Sequence, residues 1–157
     1  MSDQTRLDQL EREHVELVLR RFDRKDAWDL GRGIAERALA ASAPVAVDIR
    51  TAGGVLFHAS LPGATADNDV WAAKKAATAL RLETSTALLE ERIAQGGRDM
   101  HEPGWLDRDT YAIAGGAVPI RVAGVGVVAV ATVSGLPSAD DHDLVVEGIR
   151  GLQLLTG

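Results

Sequence analysis

Two alternating apolar runs on either side of Ala52-Gly53-Gly54 constrain this chain more than any other feature. Val45, Val47 and Ile49 alternate with Ala46, Asp48 and Arg50, and Val55, Phe57 and Ala59 alternate with Leu56, His58 and Ser60. That period of two is the mark of half-buried strands. A turn this short joins only antiparallel neighbours, because a parallel crossover needs roughly a dozen residues or more. The chain therefore builds a β-hairpin and must find elements to cover its apolar face.

The remaining periodicity supplies those elements. Residues 5–22 place Leu7, Leu10, Leu17, Val18 and Phe22 among charges, the spacing of an amphipathic helix. Asp26 is a good N-cap for a second helix, with Asp29 near its positive end, and Pro44 stops that helix before the first strand. From Thr65 or Asp67 to about Ala94 the chain is rich in Ala, Lys, Leu and Glu and reads as one long helix, the longest after the N-terminal segment. Gln95-Gly96-Gly97 ends it, and residues 96–110, with Pro103, read as a loop. Apolar segments at 111–116 and 117–121 read as strand, and the β-branched run 125–133 reads as a central strand. Ser138-Ala139-Asp140-Asp141 resembles a capping box with Asp in place of Glu, opening a last helix with Leu144, Val145, Ile149 and Leu152 on its apolar side. The order implies an α/β (α+β) architecture, an antiparallel sheet with helices packed on it. The 157 residues read as a single domain over 1–157, with 1–25 as an N-terminal helical extension.

Composition removes several function classes. The net charge is -6 with both signs scattered, so no basic stripe is available for a phosphate backbone and nucleic acid is not a partner. With no cysteine there is no disulfide, thiolate zinc site or cysteine nucleophile, which fits a cytoplasmic location. The N-terminus has no apolar signal-like stretch, and the apolar run at 122–133, broken by Gly124 and Gly126, is too short to span a bilayer, so no membrane partner is expected. Aromatic residues are only 4% of the chain. The narrow apolar stripe of the first helix and the Ala- and Val-rich surfaces need further partners, which predicts a homo-oligomer, a dimer or larger.

Several motifs in order resemble one family. Val45-Ala46-Val47-Asp48, the Gly53-Gly54 turn, Lys74-Lys75-Ala76, the stretch from Gly115 to Ile120, Gly124-Val125-Gly126-Val127 and Val133-Ser134-Gly135-Leu136-Pro137 are similar to the haem-degrading-domain family. That family takes in GlcG-like proteins and a haem-binding sensor component. Asp26-Ala27-Trp28, Leu56-Phe57-His58, Leu61-Pro62-Gly63, Asp67-Asn68-Asp69 with Trp71, and Asp141-His142 resemble a short branch designated an uncharacterised protein family. The resemblance runs over roughly residues 26–155. It implies a profilin-like fold, homo-oligomeric assembly and a link to haem or a similar ligand as the possible cofactor. A eukaryotic relative associated with the delivery of tail-anchored proteins implies an adaptor role as another outcome.

The candidate chemistry is polar and sits at the ends of elements. Asp67, Trp71, Lys74, Lys75 and Thr78 share one broad helix side, where a lysine beside an aromatic ring suits a carboxylated ligand. Asp67, Asn68, Trp71 and Lys75 are expected to face Asp141 and His142, or Asp48 and His58, across one pocket, with Lys75 as the anion contact and His142 or His58 as the titratable group. Of the four histidines, His14 reads as solvated and His101 as a loop residue. No two lie three or four apart, so there is no local metal motif. The glycine pairs lack the strand and helix context of a dinucleotide or phosphate loop, and Ser134-Gly135 lacks that of a nucleophile elbow. Three readings follow: a cytoplasmic small-ligand-binding or accessory domain taking haem or another carboxylate; an enzyme on a small metabolite with Lys75, Asp48, His142 or His58 as acid and base; and an oligomeric protein-interaction adaptor.

Overall fold

A computed structural model describes residues 3–102 and 104–157; Met1 and Ser2 of the expected extension and Pro103 of the expected loop lie outside them. The hairpin forms as the alternation requires: β2 (Ala46–Thr51) pairs antiparallel with β3 (Gly54–Ser60). β4 (Ala117–Val122) and β5 (Gly126–Ser134) form a second antiparallel hairpin, and β5 lies against β2. A two-residue strand, β1 (Val18–Leu19), adds in parallel to β4, giving the order β1-β4-β5-β2-β3. The sheet is thus antiparallel over its four longer strands and mixed at one edge. No helix among the described residues is long and apolar enough to cross a membrane.

Each face of the sheet has its own cover. Val45, Val47, Ile49, Ala129, Ala131, Val133, Val118 and Ile120 pack against α2 (Arg24–Ala40) and α5 (Ser138–Thr156). The opposite face is covered by α3 (Ala66–Leu82), whose Ala76 and Ala79 meet Ala117 and Val130. Small residues let that helix sit close to the strands, so whatever polar groups lie beneath it are sealed from water. α4 (Thr86–Ala94) follows, and its Ala87 and Leu88 pack on Leu10 of α1 (Asp3–Glu16).

Several local expectations need correction. The first helix ends at Glu16 rather than near Phe22, because the chain extends there to bury Leu17 and Leu19, with Val18–Leu19 as the edge strand. Asp23, not Asp26, is the N-cap of α2: its side chain accepts from the Asp26 N–H at 2.8 Å while the Asp26 carboxylate accepts from the Asp23 N–H at 3.0 Å. The long helix is two helices, so α5, with 19 residues, is the longest. Glu83 takes a left-handed φ of 51°, and Ser85 then caps α4 by accepting from the Leu88 N–H at 3.2 Å. Residues 111–116 are not strand. Pro137, not Ser138, precedes α5, and no side chain caps it; Asp141 instead accepts from Leu136 N–H at 2.9 Å and Gly135 N–H at 3.3 Å.

The α2–α5 contact gives a stability test. A Cβ on Gly148 would lie 2.4 Å from Cγ1 of Ile34 and 3.3 Å from Leu30, whereas one on Gly33 would meet only an arginine tip at 3.7 Å. Gly148→Ala should cost about 1–3 kcal/mol in urea denaturation through overpacking. Gly33→Ala should be neutral or stabilise by up to about 1 kcal/mol, as an interior helical glycine does when replaced by alanine. Equal effects at the two sites would contradict this packing.

Candidate functional site

The residues singled out in the sequence fall into three separate groups instead of lining one pocket. The first is buried. Lys75, on the sheet side of α3, donates to Asp141 Oδ2 at 3.0 Å and to the Val133 carbonyl at 3.3 Å. Burial pushes the Asp141 carboxyl upward, while Lys75 and the N–H groups of Leu136 and Gly135 act in the opposite sense. Gly116 lies against this pair: with φ of 137°, a Cβ there would sit 2.4 Å from the Val133 carbonyl and 2.8 Å from Lys75 Nζ. Backbone and ammonium meet only because that position is glycine.

The second group lies at the β2–β3 edge. Asp48 is fully buried and takes Arg50 through both oxygens at 2.6 and 2.7 Å. His58 Nδ1 lies 2.8 Å from Asp48 and its Nε2 lies 2.9 Å from Asp69 on the first turn of α3. Asp69 was not anticipated. Asn68 serves the α3 N-terminus, accepting from the Thr65 N–H at 2.9 Å, and Asp67 is exposed. The third group is His142 with Glu13 of α1, 2.8 Å apart and both buried. Burial would raise the Glu13 carboxyl, but its hydrogen bond and charge interaction with His142, with Gln9 and Arg6, hold it below its usual range. His142 therefore faces α1, away from Lys75.

An open cleft of about 440 Å³ lies elsewhere, between α3, α4 and the segment 99–114. Trp71, Tyr111, Ile93, Ile113, Ala112 and Ala114 supply apolar walls, and Glu90, Asp99, His101 and Arg108 supply its polar groups. One backbone bond ties the end of this segment to α3: Ala112 N–H donates to the Lys74 carbonyl at 3.2 Å. His101 Nδ1 lies 2.9 Å from the Leu106 carbonyl, which can only accept, so Nδ1 carries the proton and the neutral ring keeps its lone pair on Nε2. Asp99 accepts from the His101 N–H at 2.9 Å. Burial pushes the Glu90 carboxyl upward against the Gly115 N–H and Lys75, which pull it down. Lys74 stacks over Trp71 with its ammonium 5.7 Å from the ring centre.

Of the anticipated residues, then, only Trp71 lines the cleft, with Lys74 beside it; Lys75 and Asp141 lie deeper, and Asp48, His58 and His142 lie away from it. His101, Arg108, Tyr111 and Glu90 were missed as site residues. The available signal was density of aromatic side chains: three of the chain's six, Trp71, Trp105 and Tyr111, fall within or beside this loop region.

Residues 22–150 match the family described as haem degrading protein HbpS-like. A UPF0303 protein of Streptomyces coelicolor is 48% identical over 142 residues, covering 90% of each chain. The crystal structure of Ybr137w protein superposes with a TM-score of 0.83 at 31% identity over 95% of this chain and 88% of that one. The crystal structure of a PduOC:heme complex superposes with a TM-score of 0.70 at 25% identity, over 82% and 93%.

The Glu90 environment predicts a pH signature. Its carboxyl lies above the ordinary value of 4.5 in the folded chain, so folding disfavours the charged form. Stability is therefore lost as pH rises from about 4.5 through the folded value. Glu90→Gln keeps an acceptor for Gly115 and carries no charge. Its urea midpoint should exceed that of the parent near pH 8, and the difference should vanish near pH 4. A variant less stable than the parent at pH 8 would contradict this account.

Proposed function

This chain belongs to the HbpS-like haem-degrading protein family, and from that premise we propose that it binds haem, or a planar apolar ligand bearing carboxylates, in the cleft between α3, α4 and residues 99–114. The observation that carries the reading is the donor set. A volume of about 440 Å³ lies in the range of small-ligand sites, roughly 300–1,000 Å³, which are apolar with a few convergent polar groups. A histidine whose Nδ1–H is held by a carbonyl is the arrangement that leaves Nε2 free for a metal. The residues present fit the group: His101 would ligate the iron, Trp71 and Tyr111 would flank the ring, and Arg108 and Lys74 would meet carboxylates. Bound haem would supply iron-centred ligand or redox chemistry. The protein's own residues bind, orient and partly desolvate.

The related haem-complex structure supports the ligand class. A cytoplasmic location and a homo-oligomeric state complete the proposal. The latter is supported by Trp28 and Leu39, both about half exposed and eleven residues apart, hence on one side of α2.

Titration with haem should develop a saturable Soret band. His101→Ala should change its position, and Arg108→Ala should raise Kd about tenfold, as loss of a charge-assisted hydrogen bond would. Unchanged spectra and affinity in both variants would remove the ligand from this cleft. Sedimentation at micromolar concentration should give a mass above 16.6 kDa, and a monomer would contradict the oligomer.

A further inference from the structure

A second hollow lies on the other side of the same loop. It measures about 320 Å³ and is lined by Leu82, Met100, Leu106 and Trp105, with Arg81 as its one charged wall. Trp105 is 57% exposed, the most exposed of three tryptophans that all reach the surface. The Arg98 guanidinium stacks 4.1 Å from the Trp105 ring centre, and the Arg81 guanidinium stands 5.2 Å from that of Tyr111.

The charge pattern is what points to a ligand. The chain carries 23 acidic and 17 basic side chains, and eight of the latter make ion pairs with carboxylates among the described residues. Arg81 and Arg98 are two of the other nine, and of these Arg81 is the one that lines the hollow. Their recorded partners are aromatic faces, which leave the guanidinium donors available. Two unneutralised arginines beside an apolar hollow, in a protein with an excess of carboxylates, match a ligand with an apolar body and one anionic head.

We propose that this hollow is a second binding site, taking an amphipathic monocarboxylate whose carboxylate meets Arg81 and whose hydrocarbon packs on Leu82, Met100, Leu106 and Trp105. Arg98 holds the Trp105 ring as a wall. The site does not depend on the haem reading. The two share the intervening loop, in which Leu106 lines the hollow and its carbonyl holds His101, and the contact of Arg81 with the Tyr111 ring that walls the cleft.

The test uses octanoate brominated at its terminal carbon, because bromine quenches a neighbouring indole. The full-length protein should show saturable quenching of tryptophan emission. Trp105→Phe should abolish it, Arg81→Ala should weaken binding at least tenfold, and Arg81→Lys should restore part of the loss. The corresponding brominated alcohol, neutral but equally apolar, should bind at least tenfold more weakly than the carboxylate. Arg108→Ala, a change in the wall of the haem cleft at a residue that does not line the hollow, should leave the carboxylate affinity unchanged, which separates the two sites. Absence of saturable quenching, quenching that survives Trp105→Phe, or equal binding of acid and alcohol would overturn the proposal. Circular dichroism of each variant checks that it is folded, and an Arg81→Ala protein that is folded and binds normally would overturn it as well.

Discussion

The buried Lys75–Asp141 pair organises the middle of this protein. One carboxylate takes the Lys75 ammonium with one oxygen and the Leu136 N–H with the other, with Gly135 N–H beside them; the ammonium also donates to the Val133 carbonyl. Four segments converge there: α3, the end of β5, the 135–137 turn and the first turn of α5. Burying two charges is costly, and such a pair is not in itself strong evidence of stabilisation. Its consequence is positional. Removing either partner alone leaves an uncompensated charge inside, at a cost of about 3–5 kcal/mol. The convergence also demands glycine at 116, since any Cβ would occupy the space of the ammonium and the Val133 carbonyl.

That constraint propagates to the cleft. With Gly116 held against the pair and Gly115 donating to Glu90, the segment entering β4 runs close along α3, where Ala112 binds the Lys74 carbonyl. Tyr111, Ile113 and Ala114 are thereby carried to the wall opposite Trp71. The cleft is thus a product of backbone path as much as of side-chain choice. The loop 99–108 closes one side with its own internal bonds, from Asp99 to His101 and from His101 to Leu106.

The hairpins, the last helix and the α+β class were legible because each rests on a local pattern: alternation, a Gly-Gly turn, helical spacing. The break at Glu83 was not, because Leu82-Glu83-Thr84-Ser85 contains neither glycine nor proline; the left-handed Glu83 is held by its surroundings, with Arg121 donating to its carbonyl. Leu17, Val18 and Phe22 were read as the end of a helical stripe, and only the parallel pairing of Val18 and Leu19 with β4 shows the chain to be extended there. The site residues divide in the same way. Lys75 and Asp141, and Asp48 and His58, were recognisable as notable residues and do meet pairwise, but their chemistry is mutual. A sequence pattern shows that polar groups are placed at element ends, not whether they face a ligand or each other. His101 and Arg108 lie in a stretch without periodicity, so their convergence on Trp71 depends on the tertiary path alone.

The proposed ligand sits between Trp71 and Tyr111 with His101 at its centre. An iron anomalous difference map from crystals of the haem-saturated protein tests it most directly. One iron peak is expected in the 440 Å³ cleft, within coordination distance of His101 Nε2. Iron bound instead at His14, His58 or His142, or porphyrin lying outside the cleft, would contradict it.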